Sequence, residues 1–138
     1  MAELRIGVVG YSTQEFNQDD AKIFIESAFD GIQEKYPNYK MIVVSGLTNL
    51  GIPALAYAEA VKRGWKTIGI ACKKAVEYDL FPVDSKIIIG DEWGQESETF
   101  LNNIDVLVRV GGGKQSLKET SAFKSIGKPV IEFELGKR

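Results

Sequence analysis

Short apolar runs rich in β-branched residues alternate along this chain with longer stretches whose apolar residues recur at helical spacing. The runs predict strands over Leu4–Gly10, Met41–Ser45, Thr67–Cys72, Lys86–Gly90, Asp105–Val110 and Pro129–Glu134. The stretches predict helices over Asp19–Tyr36, Gly51–Arg63, Glu96–Ile104 and Lys114–Ser125. Strands that are apolar on both faces and separated by helices indicate a buried parallel sheet. The predicted fold class is therefore α/β, a three-layer parallel sheet flanked by helices on both faces, with residues 1–138 as one domain.

The composition excludes several classes of function. The sequence has 17 Lys and Arg against 19 Asp and Glu, whereas general nucleic-acid binders show a basic excess. No apolar stretch approaches the ~18 residues of a membrane span. There is no histidine, which excludes Ser-His-Asp and Cys-His catalysis, His-ligated zinc and an imidazole base. Any acid–base chemistry must come from Asp, Glu, Lys, Tyr or the ligand, and we expect neither a nucleic-acid nor a membrane partner.

Cysteine usage and the amino terminus bear on the compartment. Cys72 is the only cysteine, so no internal disulfide can form. The first predicted strand begins at Leu4, which leaves no room for a signal peptide. We therefore expect a cytoplasmic protein, with Cys72 as an inert core residue at the end of a strand.

Three predicted turns from strand to helix are rich in small or hydroxyl residues. Right-handed crossovers place such turns at the carboxyl edge of the sheet, where ligands bind near the point at which strand order reverses. The turns contribute the predicted binding residues Gly10, Tyr11 and Ser12, then Ser45, Gly46 and Gly51, and finally Gly111, Gly112, Gly113, Lys114, Gln115 and Ser116. The alternative is that the glycines only make tight turns, as in any α/β protein.

The triple glycine is the strongest of these signals, because a strand runs straight into it and a helix begins at once. Glycine has no Cβ, so the backbone can take positive φ and a ligand can approach it closely. The first helical turn leaves N–H groups without partners, and the helix dipole favours an anion there. We predict that the N–H groups of Gly112, Gly113 and Lys114 and the Ser116 hydroxyl hold a phosphate. Lys114 opposes the dipole unless an anion lies beside it; the alternative is a solvated surface lysine.

Glu119 is the candidate catalytic residue. It lies three residues after Ser116 and four after Gln115, so the three side chains share one helix face. A carboxylate there can hold a ribose hydroxyl or act as a general base. The alternative is an acidic residue that favours the amino-terminal half of a helix.

The loops after the third and fourth strands give weaker signals. Trp93 can stack over a flat base or can be a buried structural residue. Lys73 and Lys74 can steer an anionic ligand or belong to the plain surface. The adjacent carboxylates Asp91 and Glu92 are too weak a pattern to predict a metal site, so we predict none.

Two segments resemble the signatures of the SLOG superfamily. This group joins the Lonely Guy phosphoribohydrolases (lysine decarboxylase-like proteins), DNA-processing proteins and molybdenum cofactor carrier proteins. The segment from Gly46 to Ala54 resembles its first glycine-rich motif, and Gly112 to Glu119 resembles its second, PGGxGTxxE, with Asp105 eight residues before Gly113. The resemblance implies a Rossmann-like domain that binds a nucleotide phosphate at the second motif.

The same resemblance implies an enzymatic role for Glu119, which in the phosphoribohydrolases helps break an N-glycosidic bond together with an arginine. This chain has Gly111 at the motif's proline, Gln115 at its second-motif glycine and Glu96 where that arginine is expected. An acidic side chain cannot stabilise a phosphate or a ribosyl transition state as an arginine does.

These observations favour a nucleotide- or phosphorylated-cofactor-binding protein, either a carrier or a ligand sensor. The expected partner is a small anionic nucleotide-like ligand, such as a nucleoside monophosphate or a molybdopterin-type molecule, with no cofactor required. The alternatives are a phosphoribohydrolase that releases a base and ribose 5-phosphate, and a structural subunit without a ligand. From the resemblance we also expect a homodimer or a higher homo-oligomer.

Overall fold

The computed structural model describes residues 2–136, which form one six-stranded sheet with four helices. All strand pairs are parallel, and the strand order is β4-β3-β2-β1-β5-β6. The elements are β1 Glu3–Gly10, α1 Gln18–Lys35, β2 Lys40–Ser45, α2 Gly51–Lys62, β3 Lys66–Ala71, β4 Ser85–Ile88, α3 Ser97–Asn102, β5 Val106–Val110, α4 Lys114–Ser125 and β6 Val130–Phe133. The predicted α/β class and its parallel sheet are confirmed.

Side-chain alternation along the strands divides the core into two layers. On β1, Leu4, Ile6 and Val8 pack with α1 and α2, whereas Val9 belongs to the cluster on the opposite face. That second cluster includes Phe100 of α3 and Phe123 of α4. Helices α1 and α2 therefore cover one face of the sheet, and α3 and α4 cover the other.

Some predicted elements differ locally from the observed ones, and β4, predicted over Lys86–Gly90, is observed over Ser85–Ile88. Helix α3 was predicted from Glu96 to Ile104 but ends at Asn102, where the Asn103 side chain donates to the Thr99 carbonyl at 2.7 Å. A 3₁₀ helix over Lys73–Glu77 was not predicted, because one short turn has no periodic pattern to detect.

The strand order reverses beside β1. This strand pairs with β2 on one side and with β5 on the other, so Gly10 lies next to Val110 at the carboxyl edge. The chain leaves these two strand ends toward opposite faces of the sheet, which opens a crevice between the turns that follow. Within residues 2–136, no helix is both long and apolar enough to cross a membrane.

Candidate functional site

A cleft of about 350 Å³ opens at this carboxyl edge. Its volume falls within the range of about 300–1,000 Å³ that is usual for small-molecule sites. The fold brings most of the predicted site residues to its walls, namely Gly10, Tyr11, Ser12, Ser45, Gly46, Gly113, Lys114, Gln115, Ser116 and Glu119. Gly51, Gly111 and Gly112 are not among the lining residues.

The amino terminus of α4 forms one wall of the cleft. Gly113 has an extended backbone conformation and directly precedes α4. No side chain caps the amino terminus of α4, and the first turn of this helix has no acidic residue. By contrast, α1 is capped by the Asn17 side chain and has two Asp residues in its first turn. Within residues 2–136, Lys114 forms no ion pair. The free N–H groups, the helix dipole and this cation together make a favourable place for an anion.

The three predicted glycines outside the cleft shape its walls. Gly111 has φ +62°, and a Cβ there would lie 2.6 Å from the Tyr11 ring. Gly112 has φ +108°, and a Cβ would lie 2.7 Å from the Ser116 hydroxyl oxygen. At Gly51, with φ +58°, a Cβ would meet the Tyr11 carbonyl oxygen at 2.2 Å. These glycines are required by the close packing of the turns, so no ligand is needed to explain them.

Gly46 and Gly113 are different, since packing gives no reason for glycine at either position. Both line the cleft, neither has positive φ, and a Cβ at either would have no neighbour within 4 Å. Gly10, which also lines the cleft, would bring a Cβ to 2.4 Å from the Val110 carbonyl oxygen and is therefore explained by packing. The bare backbone at Gly46 and Gly113 leaves room for a group bound between them.

Buried hydrogen bonds hold the turn after β2. The Ser45 hydroxyl donates to the Val8 carbonyl at 2.6 Å, so it is already used within the protein. The hydroxyl of Tyr57, on α2, accepts from the Ser45 N–H at 3.0 Å and donates to the Gly46 carbonyl at 2.7 Å. Burial raises the pKa of the Tyr57 phenol, which therefore stays protonated as a donor. The sequence pattern does not predict this role for Tyr57, whose only signal is its place on the apolar face of a helix.

A buried arginine fixes the triple-glycine turn from beneath. Arg109 in β5 donates through Nη1 to the Gly111 carbonyl at 2.9 Å and through Nε to Glu132 at 2.9 Å, and its Nη2 bonds Glu134. A buried guanidinium needs hydrogen-bond partners, and the Gly111 carbonyl is one of them. The bond to this carbonyl supports the left-handed conformation of Gly111. An arginine inside an otherwise apolar strand was the sequence signal that could have identified it.

Two carboxylates lie at the other end of the α4 wall. Glu119 and Glu96 are 7% and 8% exposed. Oε2 of Glu119 accepts from the Ser97 hydroxyl at 2.7 Å, and Oε1 of Glu96 accepts from the Gly94 N–H at 2.7 Å. The side-chain amide of Gln115 bridges them, with Nε2 at 3.3 Å from Glu96 and 3.5 Å from Glu119. Burial, together with the charge of Glu96, raises the pKa of the Glu119 carboxyl.

The weaker sequence candidates divide between the cleft and the surface. Trp93 is 47% exposed and lines the cleft, with its ring 5.9 Å from that of Tyr78. Lys73 pairs with Asp91 at 3.1 Å and Lys74 with Glu92 at 2.6 Å, all exposed and outside the lining. Cys72 is fully buried. Within residues 2–136, no three His, Cys, Asp or Glu side chains lie together as metal ligands.

The cleft continues into a groove between α3 and α4. The groove is about 770 Å³ in volume and shares Trp93, Lys114, Gln115 and Glu119 with the cleft. Its remaining lining is largely apolar and includes Leu101, Phe123 and Ile126. Glu119 therefore lies where the cleft and the groove meet.

Comparison with solved structures agrees with this architecture. The structure is similar to that of the Moco (molybdenum cofactor) carrier protein from Chlamydomonas reinhardtii, with a TM-score of 0.75 and 23% sequence identity. The alignment covers 95% of this chain and 76% of the carrier protein. The chain has the fold of the molybdenum cofactor carrier proteins. The molybdenum cofactor binding protein from the phototrophic bacterium Rippkaea orientalis matches 96% of this chain with 77% of its own, at a TM-score of 0.73 and 24% identity.

These matches confirm the Rossmann-like fold that the SLOG resemblance implied. Neither a protein-family model nor a curated protein matches the sequence. At this level of identity the likeness shows the fold, and what the cleft binds has to be argued from its own residues.

Proposed function

We propose that this protein binds a phosphorylated, nucleotide-like cofactor and acts as its carrier, with the phosphate at the amino terminus of α4. The observation that carries the proposal is the uncapped helix start beside Gly113, which opens into the cleft and has Lys114 next to it. Free N–H groups and the positive end of a helix dipole favour a phosphate over a neutral group. The known carriers with this fold support a molybdopterin-type ligand.

The two glycines that packing does not explain support the same assignment. Gly46 and Gly113 belong to different turns and both line the cleft. A bound phosphate that contacts backbone N–H groups at about 2.7–3.2 Å leaves no space for a side chain. Gly46 would then face the ligand from the wall opposite α4.

The acid pair favours a carrier over a phosphoribohydrolase. The hydrolase chemistry that the resemblance implied needs a cation beside the sugar, and Glu96 stands at that place in the sequence. The Glu96 carboxylate lies beside Glu119, bridged by Gln115, and as an acceptor without donors it cannot take over the arginine's hydrogen bonds to an anionic phosphate. We therefore expect binding without turnover.

Isothermal titration with molybdopterin, GMP, AMP and inorganic phosphate tests the proposal. We expect saturable binding of at least one phosphorylated ring compound, with inorganic phosphate as a weak competitor. A ligand at a hundred times its Kd should stabilise the fold by about 2.7 kcal/mol, which raises Tm by about 8 °C at this chain length. Absence of binding and of any thermal shift across the panel would contradict the proposal. Release of free base from either nucleotide, followed by chromatography, would favour the hydrolase instead.

A further inference from the structure

The Glu119 side chain has one oxygen whose hydrogen bonding the protein leaves incomplete. Oε2 accepts from Ser97 and Gln115, whereas no donor within residues 2–136 bonds Oε1. Glu119 as a whole is more than nine-tenths buried. In the described part of the chain, every fully buried polar side-chain atom has a hydrogen-bond partner, so Oε1, which has none, is not fully buried. Oε1 therefore remains accessible from the cleft that Glu119 lines. An accessible carboxylate oxygen on the wall of the cleft is free to accept a hydrogen bond from a bound ligand.

The Gln115 amide shows what kind of group fits between the two carboxylates. Its NH₂ group places one hydrogen toward Glu96 and one toward Glu119, at 3.3 and 3.5 Å from the acceptor oxygens. Both contacts are long for N–H···O bonds, and Gln115 is exposed at the start of α4. An exocyclic amino group on a bound ring has the same donor geometry, so it can displace this weakly held amide.

A carboxylate oxygen accepts hydrogen bonds and donates none, so the carboxylates of Glu119 and Glu96 select against a ring edge that presents a lone pair. The 2-amino-4-oxo edge shared by guanine and pterins presents an amino group next to a ring N–H, so both atoms donate. The Watson–Crick edge of adenine presents an amino group next to the N1 lone pair, which a carboxylate oxygen repels. Trp93, half exposed in the same cleft, can stack on the flat face of either ring and does not discriminate between them.

We propose that the ligand's ring presents the 2-amino-4-oxo-pyrimidine edge of guanine or a pterin, and that Glu119 is the residue that selects it. This inference rests on the proposed function, since the phosphate at α4 must hold the ligand while its ring reaches Glu119. It assigns to Gln115 and Glu96, two departures from the SLOG signatures, a role in ring recognition.

Titration with GMP, IMP and AMP tests the inference, because the three share a ribose 5-phosphate and differ in the ring edge. We expect GMP to bind at least about tenfold more tightly than AMP. IMP, which keeps the ring N–H but lacks the amino group, should fall between them. Failure of all three to bind would overturn this inference, and the proposed function falls with it only if molybdopterin does not bind either. Equal Kd values for the three, or tighter binding of AMP, would leave the phosphate site standing and overturn the ring assignment alone.

Glu119→Gln provides a second, independent arm. A carboxamide offers one donor and one acceptor, which suits the adenine edge, so the variant should lose most of the GMP preference and gain affinity for AMP. The matched control is Glu26→Gln, on the exposed surface of α1, which should bind all three nucleotides like the unmodified protein. A Glu119→Gln variant that folds and keeps the full GMP preference would also overturn the assignment.

Discussion

Substitution of Gly113 by alanine tests whether this glycine is required for ligand binding or for the stability of the fold. The residue has φ −96° and ψ −156°, and no atom lies within 4 Å of the position of the added Cβ. Alanine at this helix N-cap should therefore cost about 1 kcal/mol or less, through poorer capping alone. The fold should remain intact, with Tm lowered by about 3–5 °C.

The effect on binding should be larger than the effect on stability. The added methyl group lies on the cleft wall beside the N–H groups that are expected to hold the phosphate. A hydrogen bond to a charged group contributes about 1.5–3 kcal/mol, so the loss of one such bond weakens binding about 10- to 100-fold. Isothermal titration with GMP measures this change directly.

Two other alanine substitutions serve as controls. Gly31 lies exposed on α1, also without a neighbour within 4 Å, and Gly31→Ala should raise stability by about 0.5–1 kcal/mol and leave the Kd unchanged. Gly112→Ala should lower stability markedly, because φ is +108° and the Cβ would lie 2.6 Å from that of Ser116. A Gly113→Ala protein that binds GMP with unchanged affinity would refute the placement of the phosphate at α4.

The remaining predictions concern stability. Burial raises the pKa of Glu119 in the folded state, so its contribution to stability is full at acid pH and is lost as pH rises through that raised pKa. In thermal melts, the difference in Tm between Glu119→Gln and the unmodified protein should shift in favour of the variant as pH rises from 4 to 7. A difference in Tm that does not change with pH would contradict the reasoning. Tyr57→Phe leaves the buried Ser45 N–H without its acceptor and should cost about 1–3 kcal/mol in urea unfolding. Arg109→Met removes the donor to the Gly111 carbonyl and leaves Glu132 with Lys124 as its cation, so it should cost about 1–3 kcal/mol, whereas an unchanged midpoint would show that the buried guanidinium does not support the turn.

The fold could be predicted because the evidence for it is local. The apolar runs Met41–Ser45 and Asp105–Val110 are hydrophobic on both faces, and such runs are stable only in a sheet covered on both sides. Right-handed crossovers then place every turn from strand to helix at one edge. For that reason the three glycine-rich turns could be expected in one place before the structure was known, and the cleft lies among them.

The reasons for individual glycines could not be predicted in the same way. Gly10, Gly51 and Gly113 look alike in the sequence, as small residues in turns. Gly10 is fixed by the Val110 carbonyl and Gly51 by the Tyr11 carbonyl, both far away along the chain. Gly113 alone of the three has no such neighbour.

The sequence by itself determined the parallel sheet, the place of its carboxyl edge and the helix that starts after the triple glycine, because these follow from hydrophobic periodicity and backbone sterics within short segments. Only the tertiary structure decided that Glu96, on the loop before α3, meets Glu119 through Gln115, and that Tyr57 and Arg109 support the turns on either side. Such contacts depend on where distant side chains come together in three dimensions. Desolvation and hydrogen bonding there decide the charge and the ligand preference of the cleft, and neither can be read from residue spacing.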